Sequence, residues 1–382
     1  MKTLKGNGSE NTTFKGAINP GSSLAIESAS LADVNVYGGT LSIQGGVVLN
    51  GRATTSGTAA VAFTGGTFGM GSCTGSTIIS SATLGANQTI LSGVNARYFG
   101  EGDALIDMNK KFCFVNSGGK MSAYGITFSG GSTNNTGVFR VSGGSAYFSG
   151  CSFMNNSATV NGICYQQVNG ARMDFESCVF SGNSTTSNYG VLYKAQNGVT
   201  RFAHCILNGN TARYYTLYYT GGKFEASNCI HTSNTIKVTG NMCHFVGTST
   251  YLESCVFSSN YSNAASNGRV IIFNSACTMS ACVVQKIHNS SQSAILTSAA
   301  CNLTIIDGTY DGIINSGTAS LSGNLNLEYI SSGTVNITSG ASIALTKNIK
   351  AAINVDGVCY VNGATVAAGT YTNIDSAGSA TA

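Results

Sequence analysis

The sequence has 382 residues, with 19 basic and 15 acidic side chains, 49 glycines, one proline and no tryptophan. So little charge and so much glycine are typical of an all-β chain with many turns and not of a helical enzyme. The net charge of +4 comes with no Lys/Arg cluster, which argues against a nucleic-acid partner, and no apolar run approaches the roughly 18 residues of a membrane span.

The chain begins with a polar region that a glycine-rich region follows. Residues 1–30 are polar and contain the only proline, Pro20, so we predict an N-terminal arm or cap that covers the open end of a stack of strands. The opening MKTLKGNGSENTTF is basic without an apolar h-region, so we expect no signal peptide. Residues 31–111 are predicted to form glycine-rich N-terminal coils, because short alternating strands are separated there by Gly-Gly, as in VNVYGGTLSIQGGVVLNG.

The most charged segment of the chain ends this region. Its carboxylates Glu101, Asp103 and Asp107 lie close together in sequence and could form a cation site or an acid/base pair. No EF-hand pattern is present, and lysines adjoin the carboxylates. We therefore interpret the segment as a solvated loop between coils.

Residues 112–300 carry a regular repeat. Six cysteines recur at nearly even spacing, and the first five are each followed five residues later by asparagine. The two series are Cys151, Cys178, Cys205, Cys229, Cys255 and Cys282, and Asn156, Asn183, Asn210, Asn234 and Asn260. Residues that recur in step with short apolar segments between them indicate a repeated supersecondary unit.

The positions of the apolar residues predict the shape of each unit. Cys151 and Phe153 share one parity, whereas Phe148 lies an odd number of residues from Cys151, so a bend must separate two strands. A third apolar run precedes each glycine-bearing turn. Three short strands in about 24 to 27 residues describe one coil of a right-handed parallel β-helix, a solenoid.

The two series are predicted to form structural ladders along this helix. Cysteine is small and commonly buried, so a column of mostly free interior thiols is expected. Asparagine tolerates the left-handed backbone conformation of a sharp turn, and its amides can bond to one another from coil to coil. We therefore place the asparagines in the turns themselves.

Few side chains suggest a binding site. Tyr214, Tyr215, Tyr218 and Tyr219 could form an aromatic patch for stacking on sugars, although alternation along a strand would turn at least half of them toward the core. The histidines show no zinc spacing, so we expect no metal and no other cofactor. His231 occupies the position of Phe153 in its repeat, where it is expected to fill the core. The four histidines are His204, His231, His244 and His288.

The C-terminal part, residues 301–382, is predicted to form further coils and a cap. It still alternates and turns on glycine or asparagine, and its end, VDGVCYVNGATVAAGTYTNIDSAGSATA, suggests a hairpin-like closure with a frayed tail.

Several motifs resemble a known family. The tetrads FMNN (153–156), FSGN (180–183) and FSSN (257–260), with GGSA (143–146) and GGKF (221–224), resemble the repeats of chlamydial polymorphic outer-membrane proteins and related autotransporter passengers. YGGTLSIQGGVVLNG is similar to glycine-rich repeats of autotransporter adhesins, and VNGATVAAGTYT to the endings of other secreted bacterial β-helices. The resemblance implies a bacterial cell-surface passenger that mediates adhesion and virulence.

The sequence therefore favours a non-enzymatic adhesive or structural rod, extracellular or on the bacterial surface. Its partners would be host-cell or matrix glycans or proteins, and self-association through open ends or faces is possible. One alternative is a polysaccharide lyase or hydrolase; the acids available to it in the coils are Asp174, Glu176, Glu225 and Glu253. The other is a phage tail-spike receptor-binding module, which would form trimers.

Overall fold

The computed structural model shows a chain of parallel strands arranged as a β-solenoid. It describes residues 2–5, 13–18, 23–27, 30–37, 40–43, 48–49, 53–55, 60–68, 73–85, 87–115, 117–133, 137–168, 170–186, 192–238, 240–263, 268–288 and 290–382. These residues contain strands, turns and bends but no helix, so none of them forms a helix that could cross a membrane. The chain divides into two compact units, Met1–Ser187 and Asn188–Ala382.

The first unit starts with narrow coils. Ser23 pairs with Thr40, Thr40 with Ala60, and Val61 with Thr77. Each of these coils is therefore shorter than a coil of the cysteine repeat, in agreement with the Gly-Gly spacing of the sequence. The strands of this part are Lys2–Lys5, Thr13–Ile18, Ser23–Glu27, Ser30–Val36, Thr40–Ile43, Val48–Leu49, Ala53–Thr55, Ala60–Phe68, Cys73–Leu84, Gln88–Ile90 and Asn95–Asp107.

Wider coils follow in the same unit. Lys120 pairs with Ser145, and Ser145 with Arg172, so these coils have the length that the cysteine repeat predicts. Each coil contains the three predicted strands and also a fourth strand of two residues, which follows the ladder asparagine or, in the first of these coils, Gly131. The strands are Cys113–Val115, Lys120–Tyr124, Thr127–Ser129, Ser132–Thr133, Phe139–Val141, Ser145–Ser149, Ser152–Met154, Ser157–Ala158, Cys164–Gln166, Arg172–Glu176, Val179–Ser181 and Ser184–Thr185.

The second unit begins with coils of the same length, and its later coils become shorter. Val199 pairs with Lys223 and Thr250 with Cys277, whereas Thr318 pairs with Thr334, so the later coils are shorter than those of the cysteine repeat. Its strands are Tyr193–Gln196, Val199–Ala203, Ile206–Asn208, Thr211–Ala212, Leu217–Ser227, Ile230–Thr232, Thr235–Ile236, Cys243–Glu253, Val256–Ser258, Tyr261–Ser262, Ile271–Phe273, Cys277–Val284, Ile295–Thr297, Asn302–Tyr310, Ile313–Asn315, Thr318–Leu327, Ile330–Ile337, Ser342–Leu345, Asn348–Val355, Cys359–Val361, Ala364–Val366, Gly369–Asp375 and Ala380–Thr381.

The end of the chain reverses direction. Asn348–Val355 pairs antiparallel with Gly369–Asp375, and Cys359–Val361 with Ala364–Val366. The turn of the second pair is Asn362-Gly363, both with positive φ, which is the backbone that a tight two-residue hairpin requires. These strands bury Val366 and Ile374, so the last coil is not left with its apolar side chains in water.

The core of each unit is made of stacked side chains from successive coils. In the first unit the Phe153 and Phe180 rings lie 4.6 Å apart and nearly parallel, and the Phe148 and Phe175 rings lie 5.3 Å apart. Both columns are fully buried. In-register parallel strands place equivalent residues one above another, so a Phe repeated once per coil forms a continuous stack, as the sequence predicts.

The cysteine ladder lies beside these columns and forms the inner side of a sharp corner. The residue before each cysteine has a left-handed backbone, for example Ser177 (φ 51°) before Cys178 and Ser254 (φ 51°) before Cys255. In each case the thiol points at the carbonyl oxygen two residues earlier, at 3.3 Å in Cys178 and Cys255. A small weak donor fits inside such a corner. The twelve cysteines whose side chains are described are all free and buried.

The asparagine ladder follows a second corner. Here the prediction of left-handed asparagines is wrong, because the residue before each asparagine takes that conformation, as in Asn155 (φ 54°) and Ser233 (φ 55°). The asparagine is turned inward and is almost fully buried. The amide stacking itself is confirmed: Asn156 Nδ2 donates to Asn183 Oδ1 at 3.1 Å.

The amides also satisfy the backbone at this corner. In the second unit Asn234 Oδ1 accepts the Asn210 backbone N–H at 3.0 Å, and Asn234 Nδ2 donates to the Leu207 carbonyl at 2.7 Å. Asn260 repeats this arrangement, donating to the His231 carbonyl at 2.9 Å. Buried backbone groups need such partners where strands end, so each asparagine joins the corner of its own coil to the corner of the coil before it.

Candidate functional site

Three of the four predicted tyrosines form a surface cluster in the second unit. The Tyr215 and Tyr218 rings stack at 5.1 Å, the Tyr214 and Tyr215 rings lie 6.3 Å apart, and the His244 ring lies 5.5 Å from Tyr215. All four rings are half-buried. We call Tyr214, Tyr215, Tyr218 and His244 the tyrosine cluster.

The cluster is shaped by strand register and by a neighbouring cation. Tyr218 pairs with His244 in the next coil, which places their side chains on the same outward face. The Arg213 guanidinium lies 5.4 Å from the centre of the Tyr214 ring, within the range of a cation–π contact. Burial lowers the pKa of His244, and an opposing interaction with the Asn274 side chain offsets only part of this shift.

Tyr219 is not part of this surface. Its side chain is buried in the core, and its hydroxyl lies 2.8 and 2.7 Å from the Gly198 and Lys223 carbonyl oxygens, either of which can accept its single proton. Burial raises the pKa of Tyr219 to about 12. The expectation that at least half of the four tyrosines face the core is therefore wrong, because only Tyr219 does so.

The first unit presents a second aromatic surface, which sequence reasoning missed. The Phe99 and Tyr124 rings stack at 5.0 Å with their planes 6° apart, and the Tyr147 ring lies 5.8 Å from Tyr124. These rings project from the outer face of strands Asn95–Asp107, Lys120–Tyr124 and Ser145–Ser149 and are half-buried. We call Phe99, Tyr124 and Tyr147 the aromatic ladder.

Acidic groups continue this outer face. The Tyr147 hydroxyl donates to Glu176 Oε2 at 2.5 Å, and this hydrogen bond raises the pKa of Tyr147. Asp174 pairs with Tyr147 in register and forms an ion pair with Arg172 at 2.5 Å. The face thus combines flat apolar rings with an exposed carboxylate, a pairing that suits the C–H faces and hydroxyl groups of a sugar.

The other predicted acids belong to two separate strand regions, one in each unit. Glu225 forms an ion pair with Lys223 at 2.5 Å. Glu253 is exposed at the end of strand Cys243–Glu253 in the second unit. Glu101, Asp103 and Asp107 were expected in a loop, but they are exposed residues of strand Asn95–Asp107. The pairing register shifts between Gly100 and Leu105; this irregularity accommodates the charged residues within the strand.

The histidines have separate environments. His231 is fully buried and stacks on Phe257 at 5.6 Å, which confirms its predicted place in the core. His204 forms a left-handed corner before Cys205, and His288 packs against Tyr261 at 5.3 Å. Within the described residues, no group of three His, Cys, Asp or Glu side chains could hold a metal ion.

The buried His231 has a defined protonation state. Its Nε2 lies 2.6 Å from Thr216 Oγ1, and that hydroxyl donates its single proton to the Met242 carbonyl at 2.7 Å. Its Nδ1 lies 3.2 Å from both Asn260 Oδ1 and Asn234 Nδ2. Burial lowers the pKa of His231 to about 4, so the ring is neutral at physiological pH.

Comparison with known proteins adds no family. No protein-family model matches the chain, and no curated protein or solved structure matches it. The function must therefore be inferred from the chemistry of these surfaces.

Proposed function

We propose that this protein is a β-helical rod that acts outside the bacterial cell or on its surface and adheres to glycans through its exposed aromatic side chains. The observation that carries the proposal is the aromatic ladder: Phe99 and Tyr124 stack in parallel at 5.0 Å on adjacent strands. Rings held on a rigid sheet lose little conformational freedom when they bind, so even weak stacking contributes to affinity.

A second aromatic surface supports the same role. The tyrosine cluster lies in the other unit and offers Tyr215 and Tyr218 stacked at 5.1 Å. Two weak sites on one chain bind a polymeric glycan more tightly than either site alone. The resemblance of the Phe-x-x-Asn tetrads to those of polymorphic outer-membrane proteins and autotransporter passengers agrees with a surface role. In this fold the tetrad has a structural meaning, since Phe153 is a core residue and Asn156 belongs to the ladder.

The test compares binding by paired tyrosine variants. The double variant Tyr124→Ser/Tyr147→Ser removes the ladder, Tyr215→Ser/Tyr218→Ser removes the cluster, and Tyr360→Ser is a matched control, since Tyr360 is 44% exposed and outside both surfaces. Attachment to host cells and to a panel of immobilised host, bacterial and plant polysaccharides is measured, together with release of soluble products.

We expect each double variant to weaken attachment roughly tenfold, since a ring contact contributes about 0.5–1.5 kcal/mol, and the control to leave it unchanged. Attachment that survives both double variants would refute the proposal. Release of unsaturated or reducing ends would instead favour the alternative lyase or hydrolase, with Asp174 and Glu176 beside the aromatic ladder as its candidate acids. A trimeric mass in solution would favour the tail-spike alternative.

A further inference from the structure

A groove opens in the second unit where its coils become shorter. Ten residues, 285–294, connect Val284 to the next strand at Ile295, but only Asp311 and Gly312 connect Tyr310 to Ile313. The later coils therefore lack the side of the solenoid that the longer connection forms. A groove of about 580 Å³ lies at this step, with Lys286 at one end and Asn362 at the other. Sites for small molecules commonly enclose about 300–1,000 Å³.

The floor of the groove is a column of outward-facing side chains, two of which are polar. Thr309 pairs with Asn326, and Asn326 with Ala344, so their side chains lie one above another at the strand spacing. Asn326 Nδ2 donates to Thr309 Oγ1 at 3.3 Å, and both side chains are open to solvent. The amide oxygen of Asn326 therefore remains available to a ligand.

One wall of the groove is fixed by an ion cluster. Both Lys286 and Lys347 form ion pairs with Glu328, Lys347 at 2.7 Å, and both ammonium groups lie 5.4 Å from the centre of the Tyr329 ring. The Glu328 side chain is only 20% exposed. Burial alone would raise the pKa of Glu328, but hydrogen bonds from the two lysines outweigh it and lower that pKa. The carboxylate stays ionised, and the wall is held in one arrangement.

Asp311 completes the charge balance. Its Oδ2 accepts the Lys286 backbone N–H at 3.1 Å, and the residue lines the groove. Lys286, Asp311 and Glu328 line the groove, and Lys347, paired with Glu328, brings the net charge of the four groups to zero. Asp311 and Glu328 would repel an anionic ligand, and the lysines, already paired with carboxylates, would attract it only weakly. The two ammonium groups would repel a cationic ligand.

We propose that this groove binds an uncharged oligosaccharide. The floor offers the Asn326 amide and the Thr309 hydroxyl on successive strands, Asp311 offers a fixed acceptor, and the exposed Ala344 methyl group lines the groove against the apolar C–H groups of a sugar ring. The proposal rests on the proposed function, because it names the class of glycan and a place on the rod where a short chain of it is held. Hydroxyl-rich ligands are recognised by several such bonds acting together.

The test measures binding of soluble oligosaccharides to the full chain by titration calorimetry. The probes are uncharged gluco-, manno- and galacto-oligosaccharides of four to six sugars, with oligogalacturonides as the charged comparison. Asn326→Ala and Asp311→Asn remove groove contacts. The matched control is Asn354→Ala, since exposed Asn354 donates to Asn336 of the coil before at 2.9 Å, away from the groove.

We expect at least one uncharged probe to bind, each groove variant to weaken it roughly tenfold, and Asn354→Ala to change it less than twofold. Binding that both groove variants leave intact, or stronger binding of oligogalacturonides, overturns the inference. The ladder variant Tyr124→Ser/Tyr147→Ser separates the two proposals. If only this variant abolishes glycan attachment, the groove inference fails and adhesion stands; if the wild-type chain binds no glycan, both fail.

Discussion

Replacing Asn234 by alanine tests the asparagine ladder directly. Asn234 is completely buried, and its amide serves two buried backbone groups of the coil before it. The Asn210 N–H would lose an acceptor at 3.0 Å, and the Leu207 carbonyl would lose a donor at 2.7 Å. A buried group left without its partner costs roughly 1–3 kcal/mol. For two such groups we therefore expect Asn234→Ala to lower the free energy of unfolding by about 2–6 kcal/mol.

The measurement combines denaturant unfolding with hydrogen exchange. Solenoids unfold in parts. Hydrogen exchange of the Asn210 backbone N–H therefore reports on the corner itself, while the denaturation midpoint reports on the whole unit. We expect the Asn210 amide to lose protection and the midpoint to fall. Asn234→Asp retains an acceptor for the Asn210 N–H but places a buried carboxylate oxygen against the Leu207 carbonyl, so we expect it to cost at least as much as alanine.

Asn354→Ala provides the control, because it removes a similar amide–amide hydrogen bond at an exposed position. We expect a loss below about 1 kcal/mol there. If Asn234→Ala cost no more than Asn354→Ala, the ladder would not hold the corners, and the account of this fold given above would be refuted.

Three further predictions concern other interior positions. Burial lowers the pKa of His231 to about 4, whereas an unfolded chain has a histidine pKa of roughly 6.5. As the pH decreases from about 6.5 to 4, the unfolded state therefore binds the extra proton first, and the free energy of unfolding falls by up to roughly 3 kcal/mol. His231→Phe should flatten this part of the curve of stability against pH. Contacts with the Cys205 and Cys255 thiols, together with burial, raise the pKa of Cys229, so Cys229 should resist thiol reagents until the protein is denatured, and modification of the native chain, mapped by mass spectrometry, would contradict this. Gly222→Ala should lower the free energy of unfolding by more than about 2 kcal/mol, because the new Cβ would lie 2.1 Å from the Gly198 carbonyl oxygen. Gly340→Ala, at the same φ of +80° but in open space, should lower it by only about 1 kcal/mol. Equal midpoints in thermal unfolding would show that the close approach at Gly222 does not matter.

The repeat in the sequence predicted the solenoid because spacing and parity are properties of one coil. Cys178, Phe180 and Asn183 recur in step, and their burial follows from alternation along a strand and a corner between strands. The sequence predicts the left-handed conformation at the ladder asparagine, but the residue before it adopts that conformation. Ser, Gly and Asn all occupy this preceding position. Such a mixed column gives no signal in a single sequence.

The surfaces were harder to predict because they depend on pairing between coils. Phe99 and Tyr124 are distant in sequence, and only the register of their strands brings the rings together. Aligning the sequences of these early coils by their alternating apolar residues could have placed Phe99 and Tyr124 at equivalent positions. The groove depends on where a connection shortens, and the pattern of short strands after residue 300 does not mark that step. Tyr214, Tyr215 and Tyr218, in contrast, are neighbours in sequence and were found directly.

The segments between the fourth strand of one coil and the first strand of the next make this protein a natural scaffold for inserted peptides. In the second unit four residues connect Ala212 to Leu217, six connect Ile236 to Cys243 and eight connect Ser262 to Ile271. The five-residue step from cysteine to asparagine does not change over these coils. Differences in length between repeats are thus absorbed outside the ladders, so foreign epitopes could be displayed there at regular intervals along a stiff support.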